Sequence, residues 1–224
     1  MIKKILLYTA LVLSSVSAFA QKDAEAKKIL DAVAAKYKAY NTIKTDFTFT
    51  VDNQQAGVKQ TQNGTLITQP KANKFKITLF KAGTSADVQQ EIINNGKTQW
   101  TYLKAEKEVQ VADANTGADN FNPAQLFTLY QKGYKYLFTG TQKIGGKLYQ
   151  MVDLTPEDSK SSIFKTRLAI DKTTRQIYSA QIFDNGGGKY TYTLRSTTPN
   201  VPATEGTFTF DAKAHPGVEV VDLR

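Results

Sequence analysis

The chain has 224 residues, 41% hydrophobic and 22% charged, with a formal net charge of +9. It contains no cysteine and one histidine, which excludes disulfides, thiolate metal sites, a cysteine nucleophile and clusters of imidazole ligands. The positive balance suits anionic partners such as phospholipid head groups, and it equally serves plain solubility.

Met1-Ile2-Lys3-Lys4 is a basic start, residues 5–16 are apolar, and Ala18-Phe19-Ala20 brings small residues up to Gln21. This order predicts a secretory signal peptide over residues 1–20. The apolar run is shorter than the roughly 20 residues a spanning helix requires. With no cysteine at the junction for lipid attachment, residues 21–224 are expected as one soluble domain outside the cytoplasm.

Residues 23–40 predict the one long helix, with Ile29, Leu30, Val33, Tyr37 and Tyr40 recurring at spacings of three and four. From Thr42 the period changes to two. Phe47, Phe49 and Val51 alternate with polar residues, residues 58–69 continue to Leu66-Ile67, and Phe75, Ile77 and Leu79 alternate beyond Pro70. Residues 91–111 predict three further strands, turning at Asn94-Asn95-Gly96-Lys97. One face of that meander carries Trp100, Tyr102, Val109 and Val111, and the other carries Thr, Gln, Lys and Glu.

Residues 112–121 read as a polar loop, ending at Asn122-Pro123, an N-cap followed by proline at the first helical position. A short second helix is expected there, with Leu126, Phe127, Leu129 and Tyr130 apolar. Alternation resumes over residues 134–139 and 148–154 around Gly145-Gly146, then over 164–170, 176–183 and 189–196. Gly186-Gly187-Gly188 reads as a hairpin tip, and a last strand is expected to contain Phe208 and Phe210. About eleven strands result. So large an antiparallel sheet curls rather than staying open, and about thirty helical residues are too few to plug a closed barrel of that size. The expectation is a mainly β, α+β fold: an unclosed antiparallel barrel whose apolar inner side is lidded by helices over a hydrophobic cavity. A two-layer fold with a conventional packed core is the alternative.

Catalytic chemistry finds little support. His215 sits beside Pro216 in a loop-like stretch, no G-x-S-x-G elbow accompanies it, and no phosphate-binding loop is present. The loose carboxylates Asp153, Glu157 and Asp158 fit a turn around Pro156. The chain reads as a non-enzyme with no catalytic or metal-binding residues, no cofactor and no nucleic-acid partner.

Several stretches in order resemble the periplasmic outer-membrane lipoprotein carrier family of the LolA type. They are Gly64-Thr65-Leu66 leading to Pro70 and Phe75, Asn95-Gly96-Lys97-Thr98 with Trp100 and Tyr102, Glu108-Val109, and Asn122-Pro123. Leu168, Ile170-Asp171 and Ile177, then Phe208 and Phe210 with Pro216-Gly217-Val218, complete the set. The resemblance implies a single lipoprotein-carrier domain over residues 21–224. It implies a monomer in the periplasm that takes the acyl chains of lipoproteins from an inner-membrane ABC-type releasing complex to an outer-membrane acceptor. The acyl-chain cavity is expected from Phe47, Phe49, Leu66, Phe75, Ile77, Leu79, Trp100 and Tyr102, under a lid of Ile29, Val33, Leu126, Phe127 and Tyr130. The family often carries an arginine latch just before the proline matching Pro70; this chain has Gln69 there. The alternative reading is a cell-envelope sensor or scaffold that binds a lipid or protein with the same curved sheet.

Overall fold

The computed structural model describes residues 23–114 and 133–224. Helix α1 (residues 23–38) comes first, as the three-and-four spacing predicts. Twelve strands follow: β1 (Ile43–Asn53), β2 (Val58–Gln69), β3 (Lys74–Phe80), β4 (Val88–Asn94), β5 (Thr98–Leu103), β6 (Glu108–Asp113), β7 (Tyr134–Ile144), β8 (Lys147–Pro156), β9 (Ile163–Asp171), β10 (Ile177–Asp184), β11 (Gly188–Pro199) and β12 (Glu219–Asp222). They form one sheet in the order β12-β6-β5-β4-β3-β2-β1-β11-β10-β9-β8-β7. The sheet is not closed: β12 and β7 are its two edges.

Turn chemistry fixes the register. Between β7 and β8, Gly145 and Gly146 have φ of 54° and 84°, the paired positive values of a tight primed turn. Between β4 and β5, the Asn95 side chain accepts the amides of Lys97 and Thr98, and Gly96 sits at φ 91°. Gly186 and Gly187 form the tip joining β10 to β11, and the Asp184 carboxylate accepts the Gly188 amide and the Tyr190 hydroxyl. A bulge in β11 opposite Asp46 and Phe47 breaks the regular pairing of β1 with β11; bulges of this kind bend a sheet.

The helix-bearing, inner face holds one continuous apolar cluster. It joins Ile29, Leu30, Val33 and Tyr37 of α1 to residues from β4 through to β7. Laid flat, nine neighbouring strands at about 4.8 Å would be about 38 Å wide, whereas one helix with its side chains is about 10–12 Å across. The cluster spanning all nine is thus wider than α1, which accords with a sheet bent towards the helix.

The carboxyl-terminal stretch differs from the sequence expectation. Phe208 does not lie in a strand but in a 3-10 turn, Glu205–Phe208, where Thr204 and Thr207 cap one another reciprocally. The capping box wins over alternation because Phe208 is then fully buried. The final strand is β12 instead, and it pairs parallel to β6.

Candidate ligand-binding face

The inner face is built from the middle of the sheet outwards. On β1, Ile43, Thr45 and Phe47 point inwards. Their partners are Thr68, Leu66 and Gly64 on β2, and the partners of those on β3 are Phe75, Ile77 and Leu79. Gly64 has a specific reason to be glycine: a Cβ there would lie 2.4 Å from Cζ of Phe47. The Phe47 ring lies across the β2 backbone, a position that any side chain at residue 64 would contest. Phe47, Leu66, Phe75 and Ile77 are buried in one cluster with Ile29 and Val33 of α1.

Further along the same face the packing thins. Phe49, Leu79 and Ile92 are half-buried, as are Tyr136, Phe138 and Tyr190 on the other half of the sheet. Phe49 stacks on Tyr192 at 4.6 Å between ring centroids, and its ring lies nearly parallel to that of Tyr190. This rim is apolar and aromatic, with the wide, polarisable faces that hydrocarbon accepts without directional demands.

The polar groups of this face are few and deep. The Tyr37 hydroxyl accepts the Ile177 amide at 3.2 Å, tying the end of α1 to β10. Burial pushes that hydroxyl up to about 12, partly offset by the Ile177 hydrogen bond. Burial likewise raises the Tyr192 hydroxyl above its ordinary range. The hydroxyls of Thr45 and Thr166 are buried with no hydrogen-bond partner among the described residues.

Trp100 and Tyr102 are not part of this face. Ile92 packs in the inner cluster, whereas its neighbour Ile93 faces the other way and is the register partner of Trp100. Trp100 and Tyr102 therefore pack on the outer face, with Ile93, Val109, Phe210 and Val218. The ring of Tyr102 meets Phe210 at 5.3 Å and His215 at 4.7 Å. The physical reason is the Ile92-Ile93 pair, which is apolar at both parities and conceals which face the β4–β5 hairpin turns inwards. The predicted meander face is real, but the carboxyl-terminal segment covers it rather than a helix.

Gln69 ends β2 opposite Lys74, one residue beyond the inward-facing Thr68. Strand alternation thus gives it the parity of the outer face. Leu126, Phe127 and Tyr130, with the Asn122-Pro123 helix start and the signal peptide, lie outside the described residues. Sequence reasoning missed the second half of the wall: Val152, Leu154, Leu168, Ile170, Ile182, Tyr190 and Tyr192 all join the inner cluster. Their alternation was legible, but nothing in it says that β8 to β11 share a face with β1 to β3.

Among solved structures, an uncharacterized conserved protein from Thermus thermophilus is similar at 14% identity. It covers 88% of this chain and 99% of its own, with a TM-score of 0.54, so it shares the fold. A LolA superfamily protein from Nitrosomonas europaea matches at 10% identity over 84% of this chain and 98% of its own, TM-score 0.45. The Pseudomonas aeruginosa MucA/MucB complex matches at 15% identity over 84% of this chain and 62% of its own, TM-score 0.45. A search of curated proteins found no match. Residues 16–183 match the model of the outer membrane lipoprotein carrier protein LolA, and with three quarters of its length so matched, the chain belongs to that family.

Proposed function

We propose that this protein is a periplasmic carrier, exported by the signal peptide over residues 1–20, that shelters lipoprotein acyl chains between the inner and outer membranes. An inner-membrane ABC-type complex would load it and an outer-membrane acceptor unload it, the carrier itself acting as a monomer without catalysis. The observation that carries this reading is the half-buried aromatic and aliphatic rim, Phe49, Leu79, Ile92, Phe138 and Tyr190, beside α1 on the inner face of an unclosed sheet. A chain of about fifteen methylenes gains on the order of 12 kcal/mol on leaving water, at about 0.8 kcal/mol per methylene. Apolar rings and branched side chains meet that need without selecting one cargo.

The test uses the purified protein and a fluorescent triacylated lipopeptide. Wild type should bind it, and Leu79→Glu and Ile92→Glu should weaken binding at least about tenfold, since a carboxylate at the rim must be desolvated when a chain enters. Both positions are half-buried, so the variants should still melt cooperatively. Phe164→Glu, at a residue 48% exposed, should bind as wild type does. Failure of the wild type to bind, or unchanged binding in both rim variants, would sink the carrier reading.

A further inference from the structure

The two ends of the sheet differ in charge. At one end lie the β7–β8 turn, flanked by Lys143 and Lys147, and the β9–β10 turn, carrying Lys172 and Arg175. The last turn of α1 adds Lys36 and Lys38. These pieces touch: the Lys36 ammonium donates to the Thr174 carbonyl at 2.7 Å, and the Lys172 amide donates to the Leu148 carbonyl at 3.0 Å. Lys143 is the register partner of Leu148. Asp171 is the carboxylate of this group, and its Oδ1 accepts the amides of Thr173 and Thr174. These two turns and the last turn of α1 thus hold six cations and one carboxylate. Lys38, Lys143, Lys147 and Lys172 are exposed, and none of the four forms an ion pair among the described residues.

At the opposite end cations and carboxylates are interspersed, Lys59, Lys107, Lys135, Lys160 and Lys165 sharing strand ends and turns with Glu106, Glu108, Glu157, Asp158 and Asp184. Lys81 and Lys104 both pair with Asp87, and Lys189 pairs with Asp52. The imbalance is therefore local rather than a consequence of the overall positive charge.

The basic end also carries Leu148, a leucine 48% exposed among the lysines. We propose that this end docks on the surface of a bilayer containing anionic phospholipid, with the lysines over the head groups and Leu148 entering the interfacial layer. Spread lysines are strongly hydrated point charges suited to a field of phosphates. An apolar side chain inside a basic patch matches the boundary between head groups and acyl chains. Nucleic acid would instead call for exposed stacking rings, and in this patch Tyr149 is buried and Tyr178, which packs on it, is half-buried. The inference does not rest on the carrier reading, because the inner face takes no part in it.

Vesicle co-sedimentation decides the matter. The protein should pellet with phosphatidylcholine vesicles containing phosphatidylglycerol, should stay free of pure phosphatidylcholine, and should be released as salt screens the charges. Lys143→Gln, Lys147→Gln and Lys172→Gln should each lower the partition coefficient about fivefold. Leu148→Asn should lower it further on anionic vesicles. Lys81→Gln at the other end, and Leu79→Glu on the inner face, should leave it unchanged. All the patch substitutions are at exposed positions, and an unaltered melting temperature would confirm folding. Equal binding to neutral vesicles, equal loss in the Lys81→Gln control, or retention on an acidic protein without any vesicle binding would overturn the proposal.

Discussion

A buried hydroxyl supplies one hydrogen bond to the joint between α1 and β10. The Tyr37 oxygen accepts the Ile177 amide inside the apolar cluster, so removing it leaves a buried N–H with no acceptor. Tyr37→Phe should destabilise the protein by about 1–2 kcal/mol in urea unfolding at neutral pH. The same burial gives a pH signature. The hydroxyl is pushed from 10.0 to about 12 in the folded protein, so the unfolded chain releases this proton first. The corresponding stability is fully present below pH 10 and is lost as pH rises towards 12. The alkaline slope of stability should therefore be shallower in Tyr37→Phe than in wild type. An unchanged slope would mean that the hydroxyl reaches solvent.

Between strands, the crossing of Phe47 over Gly64 locks β1 to β2 through shape. Gly64→Ala places a methyl group where the ring lies, and overpacking of this kind costs about 1–3 kcal/mol. If the ring is the cause, adding Phe47→Leu should recover part of that loss, so the double variant should be less destabilised than the sum of the singles. At this scale the sequence was most informative. The helix, the Gly145-Gly146 hairpin and the Asn95-Gly96 turn were all legible, because local spacing and turn residues decide them. Facing was less legible. Phe47, Leu66 and Phe75 sit on the clean alternations of three neighbouring strands and share the inner cluster, whereas Ile92-Ile93 left the parity of Trp100 open. Phe208 and Phe210 alternate like a strand, yet a reciprocal Thr204–Thr207 cap, a local competitor that periodicity does not weigh, turns the first of them into a 3-10 turn.

Taken whole, the molecule uses one sheet twice. The inner face shares one cluster with α1 and ends in a thinly packed apolar rim, while the outer face closes with a separate cluster in which Phe210 seals Ile93, Val109 and Tyr102. β12 then runs beside β6, so the carboxyl-terminal segment acts as a strap that covers one stretch of the outer face and one edge. If the two faces are independent, stability and ligand capture should separate by face. Phe210→Ala removes a buried ring and should cost about 3 kcal/mol, yet at temperatures well below melting it should bind triacylated lipopeptide as wild type does. Leu79→Glu should show the opposite pattern, a modest loss of stability with a large loss of binding. Paired melting and titration curves for the two variants make the comparison. A parallel loss of binding in Phe210→Ala would show that the strap shapes the inner rim, and the two sides of the sheet would then have to be treated as one mechanical unit.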